Sequence, residues 1–352
     1  RQTKSTIRSN MYIVTGGAGF IGSAFVWQLN RMGIEDILIV DNLGRTEKWK
    51  NLVNLKYLDY VHKNNFLELM EKNKFQDVTA IIHMGACSST TEADADYLME
   101  NNFHYSQKLA EFCLKNDIRF IYASSAATYG DGKLGFDDDH ALKNYPVLNS
   151  YGYRGSIIKN YLTELRPLNM YGYSKHLFDL WAQKKGLLDK IVGLKFFNVF
   201  GPNEYHKGDM KSVIAKAYSQ IKDTGKLKLF KSYRPEYGDG EQKRDFIYVK
   251  DCVRVMAWFL ENKEVNGIFN LGTGKARTWN ELARAVFEAM HQKPNIEYIE
   301  MPENIRDKYQ YFTEAKMDKL KRTGCPCDFM SLEEAVKDYI QKYLSQDDPY
   351  LK

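Results

Sequence analysis

Tyr171 and Lys175 stand four residues apart in the run Tyr171-Gly-Tyr-Ser-Lys175. On a helix that spacing puts both side chains on one face, one turn from each other. A cation held there favours the phenolate, so a group that ordinarily titrates near about 10 becomes a usable base closer to neutrality. Two hydroxyls, Ser124 and Ser125, sit in Ala123-Ser-Ser-Ala-Ala-Thr-Tyr-Gly130, which reads as the end of a strand. Ligands bind at the carboxyl ends of strands in open parallel sheets, so Ser125 is a candidate partner for a reacting hydroxyl. The bare Tyr-x-x-x-Lys spacing arises by chance in a chain with 24 tyrosines, so its weight rests on its surroundings.

A phosphate-binding turn is the first of these. Thr15-Gly-Gly-Ala-Gly-Phe-Ile-Gly22 follows the apolar run Tyr12-Ile-Val-Thr15 and opens a helical pattern. Gly16, Gly19 and Gly22 permit a tight turn, let the backbone approach a pyrophosphate and let helix and strand pack closely. The helix N-terminus then offers free N–H groups and a partial positive charge to the phosphates. About twenty residues on, Asp41 ends the second apolar run, where a carboxylate binds ribose hydroxyls and points to NAD. Asn42, Arg45, Lys48 and Lys63 lie downstream and present cations that suit the extra phosphate of NADP, so the residues alone leave both cofactors open.

The elements that must position these groups alternate along the first half. Tyr12–Thr15, Ile37–Asp41, Ala80–Met84 and Phe120–Ser124 read as buried strands, with helices predicted over Phe20–Met32 and Tyr97–Asn116. That alternation predicts an α/β, Rossmann-type, doubly wound parallel sheet. Met170–Lys185 reads as a helix and Ile191–Asn198 as a further strand. Beyond Gly201-Pro202 the pattern is less regular: a helix over Met210–Thr224 and short strands at Lys226–Phe230, Asp245–Val249 and Ile268–Leu271. Thr278-Trp-Asn-Glu281 is a capping box opening a helix to about His291. The expected organisation is a disordered leader over 1–10 and a dinucleotide domain over 11–200 with returning segments near 245–275. A smaller α/β substrate domain, mainly 201–344, interleaves with it.

Composition narrows the classes. The chain has 352 residues, 44% hydrophobic and 27% charged, with a net charge of +5. Those are the proportions of a soluble globular protein. No apolar run approaches the roughly 18 residues of a membrane span, and no basic block marks a nucleic-acid partner. Five scattered cysteines suit a reduced, cytoplasmic setting, and Cys325-Pro-Cys327 lacks the spacing and His partners of a zinc site, so no metal is expected.

With the glycine loop, the Ser-Ser pair and Tyr-x-x-x-Lys in that order, the chain resembles the extended short-chain dehydrogenase/reductase superfamily from Met11 to about Leu344. The resemblance implies a nicotinamide cofactor, a nucleotide-sugar substrate and Tyr171 as acid/base. It also implies that Lys175 binds the nicotinamide ribose and lowers the tyrosine pKa, and that Ser125 assists. Four longer strings are similar to the ADP-L-glycero-D-manno-heptose 6-epimerase family within it. They are His83-Met-Gly-Ala-Cys-Ser-Ser-Thr-Thr-Glu92, Ser124-Ser-Ala-Ala-Thr-Tyr-Gly130, Tyr171-Gly-Tyr-Ser-Lys-His-Leu-Phe-Asp179 and Phe197-Asn-Val-Phe-Gly-Pro-Asn-Glu-Tyr-His-Lys-Gly208. That likeness implies Lys207 as a second acid/base. It implies substrate contacts at Asn198, Lys216, Phe230, Arg244 and Tyr309, besides Ser125. Cofactor contacts are implied at Phe20, Ile21, Gly85, Ala86, Cys87, Ser88, Asn101 and Val199, with Asn42, Lys48 and Lys63 on the NADP phosphate. NADP is therefore expected despite Asp41, with NAD possible. A homo-oligomer, a pentamer in that family, is implied as well.

Two bases suit an inversion at an unactivated carbinol. Its C–H proton is too weakly acidic to remove, so the centre must be oxidised transiently and re-reduced on its other face, with an acid on each side. A 4,6-dehydratase would need an acid and a base just after the Ser pair, where Ala126 and Ala127 stand. A 4-epimerase is set aside only by the Lys207 segment, and a cofactor-binding scaffold by the intact Ser125, Tyr171 and Lys175. Asn149–Pro167 reads as an insertion. Its Tyr151-Gly-Tyr153 copy has Gly155 where a lysine is needed, which makes it a decoy. Asp209 would repel a diphosphate unless paired, with Lys207 or Lys211 the expected partners.

Overall fold

Alternate residues of a strand point to opposite faces, and here both faces are apolar, which buries the sheet between two helical layers. Ile13, Leu38, Val40, Ile81, Phe120 and Tyr122 form one core with Phe66, Leu109 and Phe178 from helices. Val14, Ile39, Ile82, Ile121 and Leu194 form the other, with Phe25, Val26, Val253 and Met256. The computed structural model describes residues 10–352 except 73, 76, 140, 141, 149–153, 307 and 308, and gives strands Leu142–Leu148 and Arg154–Asn160 by their backbone. Residues 1–9 of the expected leader and the Tyr151–Tyr153 copy lie outside the described residues.

Seven strands form the main sheet, in the order Gly267–Leu271, Val192–Phe196, Arg119–Ser125, Val78–His83, Met11–Thr15, Ile37–Asp41, Asp59–His62. Every neighbouring pair is parallel. The order reverses between Met11–Thr15 and Val78–His83, the switch point at which doubly wound sheets bind ligands. The expected doubly wound sheet is thus the observed one. Asp59–His62 adds an edge strand that the sequence reading did not predict, because its pattern is half polar.

A third core joins Phe200, Ile214, Leu229, Phe246, Leu282, Val286, Phe287, Val336 and Tyr339 from the C-terminal elements. There, Asn198–Phe200, Lys243–Tyr248 and Ala276–Thr278 make a small sheet, and Leu227–Phe230 pairs with Ile296–Ile299. The Thr278–Glu281 capping box is formed and opens helix Trp279–Ala289. Part of the expected insertion is a hairpin: Arg154–Asn160 pairs antiparallel with Leu142–Leu148, which extends it upstream. The helix Tyr161–Glu164 follows, and Tyr161 donates its hydroxyl to the Gly135 carbonyl at 2.9 Å.

Two expected elements are corrected. Ile191–Asn198 is not one strand: Val192–Phe196 belongs to the main sheet and Asn198–Phe200 to the small one. Phe197 turns between them, with the Val199 N–H donating to its carbonyl at 2.9 Å, and its ring is buried against Tyr129 and Phe136. The predicted helix Tyr97–Asn116 is interrupted, with a π-helical segment Met99–His104 between Ala95–Leu98 and Tyr105–Lys115. Such segments shift side chains out of the regular helical register and gather at functional sites.

Candidate active site

The glycine turn is shaped for a close-approaching ligand. Gly16 takes φ +64°, and a Cβ on it would lie 2.6 Å from the Gly85 backbone nitrogen. A Cβ on Gly22 would lie 2.0 Å from the Gly16 carbonyl oxygen, so the helix Phe20–Arg31 can pack here only with glycine. Asp41 does more than wait for a ribose. Its carboxylate accepts from Ala18 N–H at 2.9 Å, Asn42 N–H at 2.7 Å and the Lys48 ammonium at 2.6 Å. It therefore fastens the glycine turn to the second strand while holding a lysine beside it.

The turn after Val78–His83 closes the site from the other side. Asn102, on the π-helical segment, donates to the Cys87 carbonyl at 3.0 Å and accepts from its N–H at 2.8 Å. A buried relay supports Gly85. Ser106 donates its hydroxyl to the Asn102 carbonyl at 2.6 Å, so toward His83 it can only accept. His83 therefore presents N–H at Nε2 and accepts from Thr15 at Nδ1, and Thr15 in turn accepts from the Gly85 N–H. Burial pushes His83 down to about 3, with Lys175 adding to the effect, so the ring stays neutral.

Tyr171 and Lys175 lie on helix Met170–Lys184, capped by the Asn169 side chain at the Gly172 N–H, 2.8 Å away. The Ser125 hydroxyl lies near the Tyr171 phenol and favours its ionised form. Lys175 donates to the Ala123 carbonyl at 2.8 Å. Burial draws its ammonium down to about 8, against the pull of Asp179. The expectation that Lys175 depresses the phenol is corrected in this arrangement: burial raises Tyr171, and the Ser125 hydroxyl works against that rise.

Beneath this pair, Asp179 and Lys195 are both fully buried and ion-paired at 2.8 Å. Asp179 also accepts from Tyr122 at 2.8 Å and Ser124 at 2.7 Å. Lys195 donates to Thr128 at 2.5 Å. Burial favours the neutral carboxyl, yet Lys195 and these hydrogen bonds hold Asp179 below its ordinary range. A buried pair gains little net stability but fixes geometry when every donor is matched. This one locks the helix to the strand that carries Ser125.

One cavity of about 510 Å³ brings the predicted groups together: Gly16, Gly19, Phe20, Ile21, Gly22, Asp41, Asn42, Lys48, Gly85, Ala86, Cys87, Ser88, Tyr171, Lys175 and Lys207. An adjoining cavity of about 130 Å³ adds Lys63 and Asn101, which hydrogen-bond each other, beside Asp41, Asn42 and Lys48. Arg45 lines neither. A wider groove of about 800 Å³ at Trp49, Val53 and Leu58 holds none of the predicted catalytic groups. Lys207 reaches the main cavity from the 3-10 segment Tyr205–Met210, its ammonium 5.3 Å above the Phe20 ring. Burial lowers its pKa, and Glu204 opposes that shift.

The family described as NAD dependent epimerase/dehydratase matches residues 12–272. The chain belongs to that family. It is 60% identical over 342 residues to an ADP-L-glycero-D-manno-heptose-6-epimerase of Nitratidesulfovibrio vulgaris, covering 97% of this chain and 100% of the relative. A Fusobacterium nucleatum protein of the same name is 50% identical over 349 residues, with 97% and 100% covered. The crystal structure of the Helicobacter pylori ADP-L-glycero-D-manno-heptose-6-epimerase superposes with a TM-score of 0.71 at 25% identity, over 97% of this chain and 99% of that one. No helix among the described residues is long and apolar enough to cross a membrane.

In this epimerase the remaining predicted residues line neither cavity: Ser125 ends its strand next to Ser124, which lines the larger one, and the others lie toward the C-terminal elements. Arg244 is buried between the rings of Tyr309, at 5.3 Å, and Trp279, at 5.7 Å. Phe230 meets Tyr309 edge-on at 6.4 Å. Asn198 is exposed at the start of its strand, with Val199 half-buried beside it. Lys216 is exposed and donates to the Asp209 carbonyl at 2.5 Å, whereas no ion pair among the described residues joins Asp209 to Lys207 or Lys211. Trp279, Asn102, His83 and the Asp179–Lys195 pair were not singled out from sequence. Only His83 and Asp179 fell inside strings that carried the resemblance.

Proposed function

We propose that this epimerase inverts C6″ of ADP-D-glycero-D-manno-heptose, giving the L-glycero epimer through a transient ketone. The observation that carries this reading is that Tyr171 and Lys207 enter one cavity from unrelated elements, the central helix and the 3-10 loop. A secondary alcohol inverted by oxidation and re-reduction needs a proton acceptor on one side and a proton donor on the other. Tyr171, beside Ser125, serves one side and Lys207 the other. The two epimers differ only in which face carries the hydroxyl, so each residue is base for one epimer and acid for the other. A lysine whose burial lowers its pKa is suited to both states.

The residues present fit a nicotinamide dinucleotide: the cradle at Gly16 and Gly22 excludes even a Cβ and faces a helix N-terminus. When bound, that cofactor supplies the hydride acceptor and then the hydride donor. Lys48, Lys63 and Asn42 around one small cavity support NADP over NAD, since two ammonium groups there match a 2′-phosphate. Arg244 supports the nucleotide-sugar diphosphate. It is buried with no carboxylate partner among the described residues, and a buried cation of that kind is stabilised by an incoming anion. The resemblance adds a cytoplasmic homo-oligomer.

The test is substrate choice. Supplied with ADP-D-glycero-D-manno-heptose and, separately, UDP-glucose, the protein is expected to convert the first alone. The dinucleotide it releases on denaturation is expected to carry a 2′-phosphate. Conversion of UDP-glucose in place of the heptose would replace this reading by a 4-epimerase.

A further inference from the structure

Glu204 carries a burden that the reaction alone does not assign. We propose that Glu204 is the positioning residue of Lys207, its carboxylate fastening the two ends of the loop that presents that lysine to the substrate. The proposal rests on the reading of Lys207 as the second acid/base.

Glu204 is fully buried and its carboxylate bridges three separate parts of the chain. At the start of the loop it accepts from the Gly201 N–H at 3.4 Å. At the end it accepts from the Ser212 N–H at 2.5 Å and the Ser212 hydroxyl at 2.6 Å. From helix Leu332–Tyr339 it accepts the Tyr339 hydroxyl at 2.9 Å. Its own carbonyl accepts the Lys207 N–H at 3.1 Å, closing the turn that carries the lysine. Four donors converge on a group that offers only acceptors when ionised, and no Lys or Arg among the described residues forms an ion pair with it. A carboxylate buried without a paired cation is costly, so this site is built around its charge.

The rest of the loop is fixed to the same end. Asn203 donates to Ser23 at 3.0 Å on the first helix and accepts at its carbonyl from Asn51 at 3.0 Å. That docking brings Lys207 over Phe20, beside the glycine turn. Gly208 breaks the 3-10 segment just past the lysine, at φ 53°. The other charges facing this loop are the Asp41–Lys48 pair, the exposed Asp209, Lys211 at the end of the segment and Lys216, which donates to the Asp209 carbonyl. His206 is held at about 4, chiefly by burial and then by Lys48 and Lys207, and so is neutral in ordinary buffers. The phenols of Tyr205 and Tyr339 are pushed far above their usual range by burial and stay protonated. Glu204 is thus the one anion that raises Lys207 directly while burial lowers it.

The experiment compares Glu204→Gln with the parent in both directions of the reaction, measuring turnover, the pH profile of kcat/KM and bound dinucleotide. Glutamine keeps the size but removes the charge and turns an acceptor into a donor. Turnover should fall on the order of ten- to a hundredfold, the cost of a displaced catalytic group. The limb set by Lys207 should move to lower pH, because the anion that opposed its deprotonation is gone. Dinucleotide content should stay at the parent level. A folded Glu204→Gln protein with the parent profile and turnover would overturn the proposal. If that variant does not fold, Tyr339→Phe keeps the charge and removes one tether. It should lower turnover with the pH profile unmoved, and unchanged turnover would overturn the positioning role. The underlying reading fails separately: a Lys207→Met protein that still epimerises removes Lys207 from the chemistry whatever Glu204 does.

Discussion

Tyr171→Phe should lower turnover by about 10²- to 10⁴-fold, the range that a positioned acid or base supplies, with the bound dinucleotide retained. The substitution deletes one oxygen and keeps the ring, so the packing of helix Met170–Lys184 is left intact. What is lost is the phenolic hydroxyl beside Ser125 at the mouth of the strand. Lys175 keeps its bond to the Ala123 carbonyl and so goes on holding its side of the cavity. Tyr173 supplies an internal control. It belongs to the same Tyr-Gly-Tyr run but is 44% exposed on the other side of the helix, so Tyr173→Phe should leave turnover near the parent value. Steady-state assays of the two variants, with the nucleotide released from each quantified, decide it. Equal turnover in Tyr171→Phe and the parent would remove Tyr171 from the chemistry.

Lys207→Met should be comparably severe, again about 10²- to 10⁴-fold, and again without loss of dinucleotide. Methionine fills the volume above Phe20 but carries no proton. Lys207→Arg separates charge from proton transfer. An arginine stays protonated under all ordinary conditions and cannot act as the base, so it should not rescue turnover. Recovery by arginine to within a few-fold of the parent would show that Lys207 acts by charge alone.

Tyr171 and Lys207, the proposed acid/base pair, differ in how far their surroundings could be read from sequence. The Tyr171–Lys175 pair follows from a four-residue helical spacing, and the glycine turn from three glycines between an apolar run and a helix. Both are local patterns, and both elements form where the spacing puts them. Lys207 has no such signature; its loop is held by contacts from the first helix, residue 51 and helix Leu332–Tyr339, all distant in sequence. The Asp179–Lys195 pair was hidden for the same reason, since 16 residues and a change of element separate its partners. The strand predicted over Ile191–Asn198 failed at Phe197 because its mainly apolar, β-prone sequence carries no mark of the sheet to which each half belongs. The π-helical turn at Met99–His104 was equally invisible, since its amphipathic pattern reads as an ordinary helix while it delivers Asn102 to the Cys87 backbone.

Electrostatics sharpened one expectation. A lysine one turn from a tyrosine suggests a depressed phenol, yet burial dominates at Tyr171 and the phenol is raised. In the proposed reaction the protonated tyrosine is the form that donates a proton to one epimer. Asp41 carries a similar lesson. Read alone, it marks a ribose site; in the fold its carboxylate is already engaged by Ala18, Asn42 and Lys48.

The central claim is inversion by hydride removal and return at one carbon, and an isotope at that carbon tests it most directly. ADP-D-glycero-D-manno-heptose deuterated at C6″ is converted in ordinary water and the product read by NMR. The expected product is the L-glycero epimer with deuterium still at C6″, because the hydrogen leaves and returns within one closed site. Product bearing protium from water at C6″ would contradict it.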